Sequence, residues 1–200
     1  MGIWTAVKMT VALTLLTGII YPIAIAGMAN LIFPFQAQGS LLTRDGHVIG
    51  SELIGQNFSS SDYFHGRPSA AGDEGYDATN SSGSNAGQTN KAFIDTVRTR
   101  VKALRETEPG LRNAAIPVDM VTASASGLDP EISPAAASAQ VERIAKARGL
   151  DENTVRALIQ AHTRGRSAGI LGEPGVNVLE LNLALDDVVA TGHARSAHNR

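Results

Sequence analysis

Three groups of residues have types that could do chemistry, and each lacks the spacing that chemistry needs. Ser84-Asn85-Ala86-Gly87-Gln88-Thr89 has the small residues of a phosphate-cradling loop. It lacks the Gly-Lys-Ser/Thr ending whose lysine reaches the phosphates. Ser124 and Ser126 stand beside Gly127, without the Gly-x-Ser-x-Gly elbow that presents a nucleophilic serine. The histidines His47, His65, His162, His193 and His198 show no close metal-ligand spacing, so surface histidines and no metal site are expected. Cysteine is absent, which excludes disulfides and thiolate ligands. A net charge of −2 argues against an electrostatic nucleic-acid binder. No catalytic residue is assigned.

The element that organises the chain is an uncharged stretch. No Asp, Glu, Lys or Arg occurs from Met9 to Thr43, and Met9 to Phe33 is strongly apolar. At 1.5 Å per residue, ~25 residues make a helix of roughly 38 Å, enough for a hydrocarbon core of ~30 Å. Trp4 and Lys8 precede the run and suit an interface. Three readings stay open. The segment is a plain anchor with a tolerated kink at Pro22, a helix packed on other spans through Gly18, Ala24 and Gly27, or a signal peptide cleaved near Ala24-Ile25-Ala26. The apolar run continues past that last site to Phe33, against cleavage. Lys8 and the amino terminus before the span, against Arg44 beside Asp45 after it, give a slight bias toward an inside amino terminus and an outside domain.

The expected organisation is a flank at 1–8, a span at 9–33, a soluble domain at 36–190 and a disordered tail at 191–200. The fold class is an α+β soluble domain held by one N-terminal transmembrane helix. Asp45-Gly46 between Leu41–Arg44 and His47–Gly50 predicts a two-residue β-hairpin. Ser59 to Asn90 is rich in Ser, Gly, Asn and Asp yet carries Tyr63, Phe64, Arg67 and Tyr76. A flexible connector and an ordered functional loop both remain open, and long loops in compact domains favour the second. Phe93, Ile94, Val97, Val101 and Leu104 predict a helix over about 91–106. Pro117–Thr122 reads as a short strand. Ser133-Pro134 opens a helix that Gly149 closes, and Asp151 caps another to about His162. These two could form a helix-turn-helix, but the charge and the anchor argue against DNA. Asn177 and Glu180 have capping-box spacing before a helical face of Val178, Leu181, Leu185 and Val188, while a strand over Val176–Leu185 remains an alternative.

Several of these segments together resemble one family. They include Thr17–Pro22, Phe33-Pro34, Gln38–Leu41, Gly50–Gln56, Tyr63–Ala70, Ser82–Asn85, Pro117–Pro134, Ala145–Arg148 and Val176–Asn182. The chain resembles the C subunits (KdpC) of the Kdp potassium-transporting ATPases. Ala139, Glu142, Gln88 and Lys91 depart from that pattern. The resemblance implies a bacterial inner-membrane complex with a channel-like potassium-binding subunit, a P-type ATPase catalytic subunit and a small single-span peptide. This chain has neither an Asp-Lys-Thr-Gly phosphorylation motif nor a Thr-Val-Gly-Tyr-Gly filter, so the role implied is accessory.

The resemblance further implies stabilisation of the assembly and a catalytic-chaperone role that raises the ATPase subunit's affinity for ATP. On that idea Gln140 and Arg143 are the nucleotide-contact candidates, through amide hydrogen bonds and charge. No tightly bound cofactor is expected; ATP would come through the ATPase subunit. Interface candidates are Tyr21, Pro22, Tyr63, Phe64, Arg67, Pro68, Ser84 and Asn85. ATP is cytoplasmic, so a domain on the extracytoplasmic side cannot touch it. The alternative is an extracytoplasmic interaction domain shaping potassium access with no nucleotide role.

Overall fold

The computed structural model describes residues 2–198, with side chains described as far as residue 191. The chain divides into two compact units, one ending at Ser51 and one beginning at Glu52. The expected hairpin therefore groups with the apolar segment and not with the rest of the soluble sequence.

In the first unit, α1 (Gly2–Leu15), a π turn (Leu16–Ile20) and α2 (Tyr21–Ile32) form one unbroken helical run. It is 31 residues long, its most apolar 18-residue stretch has a mean hydropathy of 2.0, and it is long and apolar enough to cross a membrane. The π turn ends two residues before Pro22. A proline ring in an α-helix collides with the carbonyl four residues back. Here Tyr21 N–H donates to the Leu16 carbonyl, five residues back, and the wider turn makes room. After α3 (Pro34–Ala37), β1 (Leu41–Arg44) pairs antiparallel with β2 (His47–Ser51). Asp45 and Gly46 have φ 52° and 78°, the positive pair that a type I′ turn needs.

The second unit opens with a long strap, 52–90, that has almost no regular structure. Asn90 accepts from Phe93 N–H and starts α4 (Lys91–Thr107). Short 3₁₀ turns follow at Pro109–Leu111 and Val118–Met120. Then come β3 (Glu131–Ile132), α5 (Pro134–Ala139), α6 (Val141–Arg148), α7 (Glu152–Ala161), β4 (Thr163–Arg164), β5 (Gly175–Asn177) and α8 (Val178–His198). The three strands form an antiparallel sheet in the order β3-β5-β4, with Val176 opposite both Ile132 and Thr163. Phe64, Val141, Ile144, Val155, Leu181 and Leu185 lie wholly buried in the core. Each such side chain contributes about 1.5–3 kcal/mol by leaving water. The α+β class with one N-terminal apolar helix is as expected.

Three local expectations change. Pro117–Thr122 is not a strand: Met120 and Val121 donate to carbonyls three residues back. The Asp119 carboxylate points away to accept from Ser133 N–H (2.7 Å) and Ser133 Oγ (3.1 Å), fixing the turn against the start of α5. The helix expected from Ser133 to Gly149 breaks at Gln140. The Gln140 side-chain amide takes the Ala136 carbonyl (3.3 Å), and its backbone N–H turns to Ala137 O instead, a side chain competing with the helical ladder. At Asn177 both earlier readings hold in part, because β5 ends there and α8 begins at the next residue. Asn177 Oδ1 accepts from Glu180 N–H, as the capping spacing implied. The tail expected at 191–200 falls almost entirely where side chains, and at 199–200 the backbone, lie outside the described residues.

Candidate functional site

The strap between Phe58 and Ser69 is an ordered loop, held from beneath by two side-chain amides. Asn182 on α8 accepts from Phe64 N–H (2.8 Å) and donates to Phe64 O (3.0 Å). Gln140, at the junction of α5 and α6, accepts from His65 N–H (2.8 Å) and donates to His65 O (3.2 Å). Each amide imitates the edge of a β-strand and satisfies one strap residue's donor and acceptor together. Both amides are 1% exposed, and Phe64 between them is 0% exposed.

Arg143 reinforces the same hold. Its Nε donates to Glu108 Oε1 (2.7 Å), one terminal nitrogen to Tyr63 O (2.9 Å) and to Ser61 O, and the other to Gln140 Oε1 (2.8 Å). Burial pushes the Glu108 carboxyl up, against the opposing pull of Arg143, and its second oxygen is buried without a partner. Burial pulls His65 down from the usual imidazole range, partly offset by the Ser60 carbonyl. Arg148 lies 4.5 Å over the Tyr63 ring and pairs with Asp186 (2.9 Å), and the Tyr63 hydroxyl donates to Asp186 as well (3.2 Å).

Farther along the strap, Arg67 pairs with Asp129 (2.9 Å) and is about one-quarter exposed. Tyr76 donates to Arg67 O (2.7 Å), and its own hydroxyl pKa is pushed up to about 12 by burial and by the Asp129 carboxylate. Ser69 Oγ donates to Gly127 O (2.6 Å) and accepts from Tyr76 N–H (2.8 Å). Gly127 has φ 67°, and a Cβ there would meet Ser82 O at 2.5 Å, so no larger residue fits this crossing.

The sequence-derived candidates thus fall into separate places. Gln140, Arg143, Tyr63 and Phe64 come together, but as the internal fastening of the strap. Gln140 and Phe64 have essentially no exposed surface. Arg67 and Pro68 line a surface cleft of about 500 Å³ with Phe58, Tyr76 and Met120. Ser84 and Asn85 are exposed, and Ser84 borders a smaller cavity with Phe93 and Arg100. Tyr21 and Pro22 lie on the exposed apolar helix beside the π turn. Sequence reasoning missed Glu108, Asp129, Arg148, Asp186 and Asn182. For Asn182 a signal existed: a polar amide directly after Leu181, on a helix with a long apolar face.

Residues 3–187 match the KdpC family, described as the c chain of the K+-transporting ATPase. A potassium-transporting ATPase KdpC subunit of Rhodopseudomonas palustris is 57% identical over 192 residues, covering 90% of this chain and 95% of that protein. The KdpC subunit of Gemmatimonas aurantiaca is 56% identical, covering 93% and 92%. That of Dechloromonas aromatica is 52% identical, covering 92% and 95%.

Proposed function

The chain belongs to the KdpC family of K+-transporting ATPase subunits, and from that premise we propose that it stabilises the assembly through its surfaces and has no nucleotide site of its own. One observation carries this reading. The Gln140 amide is buried and spends both polar atoms on His65, Ala136 and Arg143. A ribose or phosphate could reach it only after the strap had been lifted away, exposing Phe64. Arg143 is similarly committed, with its side chain 9% exposed.

The partners are a channel-like potassium-binding subunit, a P-type ATPase catalytic subunit and a small single-span peptide. A catalytic-chaperone effect on ATP affinity would be transmitted through subunit contacts, with ATP held by the catalytic subunit. The apolar helix is the inner-membrane span, with the amino terminus inside and the second unit on the extracytoplasmic side. Tyr21 and Pro22 in the span, and Arg67, Pro68, Ser84 and Asn85 on the second unit, are the residues placed to make contacts. Phe64 and Tyr63 contribute by holding the strap in shape.

The test uses the absence of native cysteine. Ser84→Cys in the otherwise native chain is treated in intact cells with a membrane-impermeant thiol reagent, with lysed cells as the control. Labelling in intact cells is expected and separates the domain from cytoplasmic ATP. Labelling only after lysis would overturn the reading and return Gln140 and Arg143 to candidacy as nucleotide contacts.

A further inference from the structure

Thr17 is the middle residue of the helical run Gly2–Ile32, and there the backbone is one donor short. In an α-helix Tyr21 N–H would go to the Thr17 carbonyl, four residues back. Here it goes to the Leu16 carbonyl instead. The next residue is Pro22, which has no N–H to give. A π turn followed by a proline thus leaves the Thr17 carbonyl without a helical donor. Two polar side chains of the run serve other acceptors: Thr17 Oγ donates to Leu13 O (2.7 Å) and Asn30 Nδ2 to Ala26 O (2.9 Å). The neighbouring residue, Gly18, has open space where a side chain would stand.

At a wet surface, water would satisfy such a carbonyl. At the middle of a span the hydrocarbon offers no donor, and an unpaired backbone acceptor there is costly. Lipid therefore does not complete the site. A second membrane helix can, because a small residue lets it come close and its hydroxyl or amide side chains bond across the gap. Single π turns within helices are frequent at functional positions for the same reason, that they free a backbone group. We propose that the Thr17 carbonyl, beside Gly18, accepts a hydrogen bond from a side-chain hydroxyl or amide on a membrane-spanning helix of another subunit. This rests on the subunit reading above.

The test supplies an internal donor and asks whether the partner is displaced. Tyr21→Thr puts a hydroxyl four residues after Thr17, able to bond back to that carbonyl as Thr17 itself does to Leu13. Tyr21→Val has the same shape and no donor. The full chain, tagged and co-expressed with the other subunits, is captured in detergent. Tyr21→Thr should lower the captured subunits about threefold or more relative to Tyr21→Val. Pro22→Ala, which restores the backbone N–H, should lower them similarly relative to the parent. Equal capture by the two Tyr21 variants overturns the site. If Tyr21→Val already abolishes capture, Pro22→Ala decides, and undiminished capture by it overturns the site. Loss of pairing between copies of this chain, with the other subunits captured normally, overturns it in favour of a second copy. Failure of the parent chain to capture any subunit would instead sink the subunit reading itself.

Discussion

The apolar helix and the strap are opposites. The helix Gly2–Ile32 is helical throughout, with one π turn, and none of its residues is buried. The strap around Phe64 has no regular structure, and its centre is among the most deeply buried parts of the chain. A regular helix and borrowed side-chain amides are thus two solutions to one constraint, that no backbone polar group be left unpaired away from water. Apart from the Thr17 carbonyl, the helix satisfies its own groups and can present bare side chains to lipid. The strap cannot, and borrows side chains from helices distant in sequence.

The comparison breaks most severely at Arg143. Arg143→Ala would leave Glu108 buried without its cation and release the Tyr63 and Ser61 carbonyls. Stripping one partner from a buried ion pair costs about 3–5 kcal/mol. Denaturant unfolding followed in the second unit should show this loss, while an alanine at Leu13 in the helix should leave that transition unmoved. A smaller effect sharpens the contrast. Asn182→Ala should cost about 1–3 kcal/mol, because it orphans the Phe64 N–H and carbonyl in a dry site. Hydrogen exchange at Phe64 should accelerate in step; unaltered exchange there would mean that the amide clamp does not hold the strap.

The smallest expected effect depends on pH. Burial holds the folded His65 pKa below its unfolded value of about 6.5. The unfolded chain therefore takes up more protons below that pH, and stability should fall as pH drops through this range. Glu108 acts in the opposite sense. Its raised folded value means stability that is present in acid and lost as pH rises through that value. Comparing the parent with His65→Gln isolates the first contribution. The downward slope below about pH 6.5 should flatten in the variant, and an identical slope would remove His65 from the account.

What the sequence made legible was local. Asp45-Gly46, Ser133-Pro134, Asp151 and Asn177 each act on backbone within a few residues, and all four occur in the structure as read. The long apolar helix was legible because apolarity and length can be read directly along the chain. What stayed hidden depends on partners far along the chain. Asp119 looked like part of a strand because its true partner, Ser133, lies 14 residues on. Gln140 looked like an available helical amide, and nothing near it announces that His65, 75 residues earlier, takes both its polar atoms. Residue type suggested a ligand-binding group where position made a fastener.

The two amide clamps also set a timetable. Phe64 leaves the ribosome well before Asn182, which follows 118 residues later. At roughly 5–20 residues per second, that interval is about 6–24 s. Throughout it the strap has neither its second clamp nor the α8 side of the core, and its aromatic residues are open to solvent and to other nascent chains. Closure joins residues at large sequence separation, which is slow for topological reasons. The domain therefore completes itself late, after nearly all of it has been synthesised, and a chain shortened before α8 would lose the fastening of a loop more than a hundred residues upstream.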